Sequence, residues 1–113
     1  MDFALTEVDP AIHRVTLRGR LDAAGAEAID QRFSAAVGSV GKHALVDLTE
    51  VSFVASLGLR MFISVARVLQ RRGAQMILFG AQPQVMEVFD AIALDQMMPV
   101  VATEAEARAR LVA

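Results

Sequence analysis

The chain has 113 residues, a net charge of −2, 55% hydrophobic residues and no cysteine. That length suits one domain with a sizeable core, and the slightly acidic balance gives no footing for a nucleic-acid partner. The absence of cysteine excludes disulfides, thiolate chemistry and cysteine-held metal, and no apolar run reaches the roughly 18 uncharged residues of a membrane span.

Tryptophan and tyrosine are also missing, so aromatic platforms for stacking bases are not expected. The two histidines, His13 and His43, stand far apart and outside any ligand spacing, which places them at strand edges and leaves no metal site to propose. Met1-Asp2-Phe3-Ala4-Leu5-Thr6-Glu7 carries acids where a secretory leader carries bases, so a cytoplasmic protein without membrane insertion is expected.

Phe3 to Val8 alternates apolar and polar residues, the pattern of a half-buried strand. Asp9-Pro10-Ala11 reads as a turn, and Ile12 to Gly19 alternates again through His13, Val15 and Leu17. Ile12 falls outside that alternation, so a register shift is expected near it. The two segments form a hairpin. Asp22 is placed to cap a helix from Ala24 to Val37, in which Ile29, Phe33, Ala36 and Val37 form the apolar face and Gly38 the stop. Glu27, Asp30, Gln31 and Arg32 take the opposite face.

His43 to Leu48 is a short strand buried on both faces, followed by a turn at Thr49-Glu50. A helix then runs from Ser56 to Arg72, with Ser56 as its cap and Gly73 as its stop. Leu59, Phe62, Ile63, Ala66 and Leu69 share one face; Arg60, Ser64, Arg67 and Arg71 form a polar stripe. A second apolar arc of Leu57, Met61, Val65 and Val68 is a candidate exposed face for a partner.

Gln75 to Phe79 is another buried strand; Pro83 opens a helix carrying Val85, Val88, Phe89 and Ile92; Pro99-Val100-Val101 reads as an edge strand. Thr103 and Glu106 make a capping box for a last helix with Ala105, Ala109 and Leu111 inward. The order β-β-α-β-α-β-α-β-α predicts an α/β fold with a mixed, mostly parallel sheet packed by helices, as a single domain over residues 1–113.

No phosphate-cradling glycine loop is present, and Ser56 lacks the Gly-x-Ser-x-Gly setting of a hydrolase nucleophile. No catalytic residue and no cofactor is therefore expected. A serine at a strand-to-helix junction is either a plain cap or a place where phosphate is tolerated.

The segment from Leu45 to Leu59 resembles the signature of STAS domains of the anti-sigma factor antagonist family, in which a strand ending in Asp-Leu leads to Asp-Ser-Ser-Gly-Leu at a helix start. Gly19-Arg20-Leu21-Asp22 is similar to that family's Gly-Glu-Leu-Asp, and Pro83 to Leu94 is similar to its Pro-x-Val-x-x-x-Phe-x-x-x-x-Leu helix. The resemblance implies a STAS-type fold and a regulatory binding protein, a monomer or weak dimer. It implies phosphorylation of Ser56 by an anti-sigma-factor-type serine kinase, reversed by a PP2C-type phosphatase. Asp22, Ala55, Ser56, Leu57, Gly58, Arg60, Met61 and Val65 become the candidate partner-binding residues. Ala55, Leu57 and Arg60 replace the family's Asp, Ser and Gly. The replacements at Ala55 and Leu57 also suit the alternative role, an unphosphorylated accessory subunit of an ABC-type lipid transport system.

Overall fold

The computed structural model describes residues 1–111. Strands β1 (Asp2–Asp9), β2 (Ile12–Leu21), β3 (His43–Val54), β4 (Met76–Phe79) and β5 (Val100–Val101) lie in the spatial order β1-β2-β3-β4-β5. β1 is antiparallel to β2, and every other pair is parallel. The helices are α1 (Ala23–Phe33), α2 (Ser56–Arg71), α3 (Pro83–Ala91) and α4 (Glu104–Ala109). This is the α/β arrangement expected from the element order. Among the described residues no helix is long and apolar enough to cross a membrane.

The hairpin follows from its turn chemistry. Asp9 Oδ1 accepts the Ala11 N–H at 2.7 Å, and the pairing steps from Glu7↔His13 to Asp9↔Ile12, leaving Val8 as the extra residue. The register shift thus occurs next to Ile12. His13, Val15 and Leu17 alternate inward and are all buried.

Helices α1, α2 and α3 supply one face of the sheet with Ile29, Phe33, Phe62, Ala66, Leu69, Val85 and Phe89, packed on Val15, Leu17, Val46 and Leu78. Phe33 bridges Phe3 and Phe62 at ring-centroid distances of 6.1 and 6.0 Å. The other face carries a smaller core of Leu45, Ile77 and Phe79 under Ala107 of α4. Thr103 Oγ1 accepts the Glu106 N–H at 3.2 Å, the forward half of the expected capping box, but Glu106 reaches past the Thr103 amide to accept the Ala102 N–H at 3.2 Å. Ala107 faces inward instead of Ala105 and Ala109, which are exposed.

Two elements depart from the expected bounds. β3 continues to Val54 because it absorbs extra residues: its pairing with β2 slips between Thr16 and Arg18 and again between Gly19 and Arg20. Asp47 Oδ1 accepts both the Thr49 N–H at 3.0 Å and its hydroxyl at 2.8 Å, a local turn-like knot inside a continuing strand. After α1 the chain does not stop at Gly38 but widens into a π-turn over Ser34–Ser39. Arg72 donates to the carbonyls of Gly38 and Ser39 and ties that segment to the end of α2.

His13 lies inside the sheet, paired with Glu7 and Ala44, and is only 8% exposed. Burial, with Lys42 nearby, holds its imidazole below the usual 6.5, against a weaker upward pull from Glu7. Above that usual value the folded and unfolded chains both carry a neutral ring. As pH falls through it the unfolded chain takes up a proton first, so folding stability declines until the folded-state value is passed. Urea midpoints measured from pH 8 to 5 are expected to fall less in His13→Gln than in the parent.

Candidate functional site

The site is the junction where β2 and β3 end side by side and hand over to α1 and α2. Leu21 pairs with Val54, and the Leu21 carbonyl accepts the Ala55 N–H at 2.8 Å, so the two helices begin next to each other. Asp22 is the N-cap of α1, its Oδ1 accepting the Gly25 N–H at 2.8 Å. A Cβ on Gly25 would stand 2.3 Å from the Arg20 carbonyl oxygen. Only glycine lets the first turn of α1 lie this close to the end of β2.

Gly58 does the same for α2. A Cβ there would sit 2.7 Å from Leu21 Cγ and 3.2 Å from Val54 Cγ1. Gly58 is therefore buried against Leu21 and acts by fixing the first turn of α2, not by offering a contact surface.

Ser56 is exposed, but it is not the cap. The N-cap is Ala55 in extended conformation, with no side-chain hydrogen bond to the helix, and Ser56 is the first helical residue. The expected capping role is corrected by one position: a hydroxyl one residue further on points outward from the first turn. The helix start keeps amides that no side chain caps, under the positive end of the dipole. Asp22→Ala is accordingly expected to cost about 1 kcal/mol, whereas Ser56→Ala stays within about 0.5 kcal/mol. Paired urea titrations of the two variants check this contrast.

The second apolar arc of α2 is also corrected. Met61 and Val65 are 3% and 2% exposed, because α1 and the π-turn pack along that flank. Val68 is half-buried, and Leu57, at the N-terminal end of the arc, is the exposed member, at 36%. Arg60 is exposed one turn from Ser56.

Between α1 and α2 a cleft of about 200 Å³ opens beside Ser56, lined by Ala26, Glu27, Asp30, Leu57, Arg60 and Met61 with Ser64. Its floor is apolar, one wall carries two carboxylates and the opposite wall a guanidinium. Ala26, Glu27, Asp30 and Ser64 are the members that sequence reasoning missed. The helical pattern set the two acids on the outer face of α1, but only the packing of α1 on α2 turns them towards Arg60. On the other side of the junction Arg20 lies over the exposed Phe53 ring, 4.6 Å from its centroid, and 3.7 Å from Asp22.

The arrangement offers an exposed hydroxyl, a helix start and a small charged cleft. Neither histidine stands at Ser56: His13 is buried within β2 and His43 accepts the Gln75 N–H at 3.0 Å. Among the described residues no three His, Cys, Asp or Glu side chains gather as a metal site would need.

Comparison with known proteins agrees with this geometry. Residues 4–107 match the model of the STAS domain family. The chain is 29% identical over 84 residues to the putative anti-sigma factor antagonist BtrV of Bordetella bronchiseptica, covering 74% of this chain and 72% of that protein. It is 26% identical over 92 residues to the anti-sigma-B factor antagonist of Listeria monocytogenes, covering 81% of each. The structure of the anti-sigma factor antagonist SpoIIAA in its unphosphorylated form superposes with a TM-score of 0.78 at 27% identity, covering 97% of this chain and 96% of that one. A sheet with one antiparallel edge strand, a glycine-seated helix start after β3 and a family match over this span together place the chain in the STAS domain family.

Proposed function

We propose that this chain, as a single STAS domain over residues 1–113, is a partner-switching regulator that works by binding and not by catalysis. In this reading it binds an anti-sigma-factor-type serine kinase through the α1–α2 junction, and that kinase phosphorylates Ser56. A PP2C-type phosphatase restores the hydroxyl. The observation that carries the reading is the exposed Ser56 on the first turn of α2, beside a cleft that can accept a partner side chain. SpoIIAA, from Bacillus, has been solved in both phosphorylated and unphosphorylated forms, and its likeness to this chain supports the same chemistry here.

Within this reading Asp22 holds α1 in place, Ala55 keeps the helix start free of a competing side chain, and Gly58 seats that start on Leu21. Leu57 and Arg60 are the contacts a partner meets first. Met61 lines the floor of the cleft. Val65 supports the α1–α2 seam from within the core.

The test is incubation with the cognate kinase and ATP, followed by mapping of the phosphate by mass spectrometry. One phosphate on Ser56, absent from Ser56→Ala, is expected. A kinase that binds but leaves Ser56 unmodified rejects the switch.

A further inference from the structure

The polar stripe of α2 carries a charge pattern that the switch at Ser56 does not use. At 100° per residue, Ser56, Arg60, Ser64, Arg67 and Arg71 fall within an arc of about 80°, all of them exposed. They form one outward line about 22 Å long, from the exposed hydroxyl to the far end of the helix. Every charge on the line has the same sign. The segment 51–86 contains four arginines, Arg60, Arg67, Arg71 and Arg72, and no aspartate, glutamate or lysine. The other seven basic and thirteen acidic residues leave the rest of the chain at −6. A weakly acidic protein is thus polarised, with a local excess of positive charge on the segment that carries α2.

Among the described residues the arginines of the stripe have no ion-pair or hydrogen-bond partner. Among the described residues the ion pairs engage Arg14, Arg18, Arg20, Lys42 and Arg108. Arg72 is engaged by the Gly38 and Ser39 carbonyls. Arg60, Arg67 and Arg71 enter no ion pair, and Arg60 does not close on Glu27 or Asp30 across the cleft they share. Three like charges along one face repel one another, and only the last of them, Arg71, lies in the final turn, where the helix dipole favours a cation. Folding therefore does not account for the set.

We infer that the Arg60–Arg67–Arg71 stripe is an electrostatic docking rail for an acidic surface on the kinase that acts at Ser56. The inference rests on the partner-switching reading and adds the chemistry of the partner's face. Arginine suits the task, because its planar guanidinium takes carboxylates bidentately. A rail of this kind raises the association rate and sets the direction of approach, bringing the partner along α2 onto the exposed hydroxyl. Continuity with Ser56 favours a protein surface that has to reach that hydroxyl over the other anionic occupants.

The experiment uses Arg67→Gln/Arg71→Gln, two sites more than two helical turns from Ser56, with Arg32→Gln on α1 as the control. Affinity for the purified kinase is measured by calorimetry at 50 and 500 mM NaCl, and Ser56 phosphorylation is followed at steady state. The double variant is expected to bind about tenfold more weakly at low salt, with the difference closing at high salt. Its KM for phosphorylation should rise by about the same factor with kcat unchanged, while Arg32→Gln and the melting temperature stay at parental values. Arg67→Lys/Arg71→Lys should recover the salt-dependent part of the affinity, which needs only the charge, and not the bidentate contacts. Parental binding with an unchanged salt dependence in the double variant overturns the rail and leaves the switch standing. No binding of the parent to any anti-sigma-type kinase overturns both. Binding to phosphatidylglycerol vesicles that the double substitution removes, with kinase affinity untouched, gives the stripe to a membrane surface and also overturns the rail.

Discussion

Met61→Asp is expected to unfold the protein or leave it close to unfolding. Met61 is 3% exposed in the seam between α1 and α2, and the core cluster around it includes Ala26, Ile29 and Val65. The substitution removes the packing of a long apolar side chain and inserts a carboxylate with no paired cation in the main core. An unpaired buried charge of this kind costs about 3–5 kcal/mol, a large share of the 5–15 kcal/mol that holds a typical domain. At about 4–8 °C per kcal/mol for a domain of this size, the melting temperature should fall by roughly 12–40 °C. Met61→Leu conserves volume and should lose less than about 1.5 kcal/mol. A Met61→Asp protein that melts like the parent while losing its partner would restore the arc to the surface.

That variant also marks the limit of what the α2 sequence conveys. Hydrophobic periodicity identifies which residues share a face. It does not say whether a second apolar face meets a neighbour in the same chain or in another. Leu57, Met61, Val65 and Val68 fit either reading. The choice depends on α1 and the π-turn packing along that flank, a contact between segments some 30 residues apart. The first strands were legible for the opposite reason. Their period of two is local, and Asp9-Pro10 supplies its own turn bond.

β3 was half legible. Leu45, Val46 and Leu48 announce a buried strand, but the two register slips opposite Arg18 and Arg20 break the alternation after Leu48. The Asp47–Thr49 knot then imitates a turn. Those slips lengthen β3 so that Val54 reaches Leu21, and this sets the two helix starts side by side. The family motif located the junction; the bulges that build it left only a turn-like signal. Ser56 shows the same limit at finer grain: the helix was placed correctly, but its cap lies one residue earlier, at Ala55.

Phosphate at Ser56 is expected to act in opposite directions on the isolated chain and on its complex. In the free protein the dianion would sit on the first turn of α2, over amides that no side chain caps, with Arg60 one turn along the same face. Charge of −1.5 to −2 at a helix N-terminus is favourable by about 0.3–1 kcal/mol, so the phosphorylated chain should melt a few degrees higher. In the complex the same group must be desolvated against a surface that accepted a neutral hydroxyl. A loss of about 3 kcal/mol there corresponds to roughly a hundredfold weaker Kd. Ser56→Ala keeps the neutral surface and should hold the parental Kd within about threefold, while Ser56→Glu, with one charge, should fall between the two. Phosphoserine installed at Ser56 by semisynthesis separates these effects, with calorimetry against the kinase reading the interface and a thermal melt without it reading the helix. A higher melting temperature with an unchanged Kd would mean that Ser56 lies outside the partner's footprint. The phosphate would then act only on the helix that carries it.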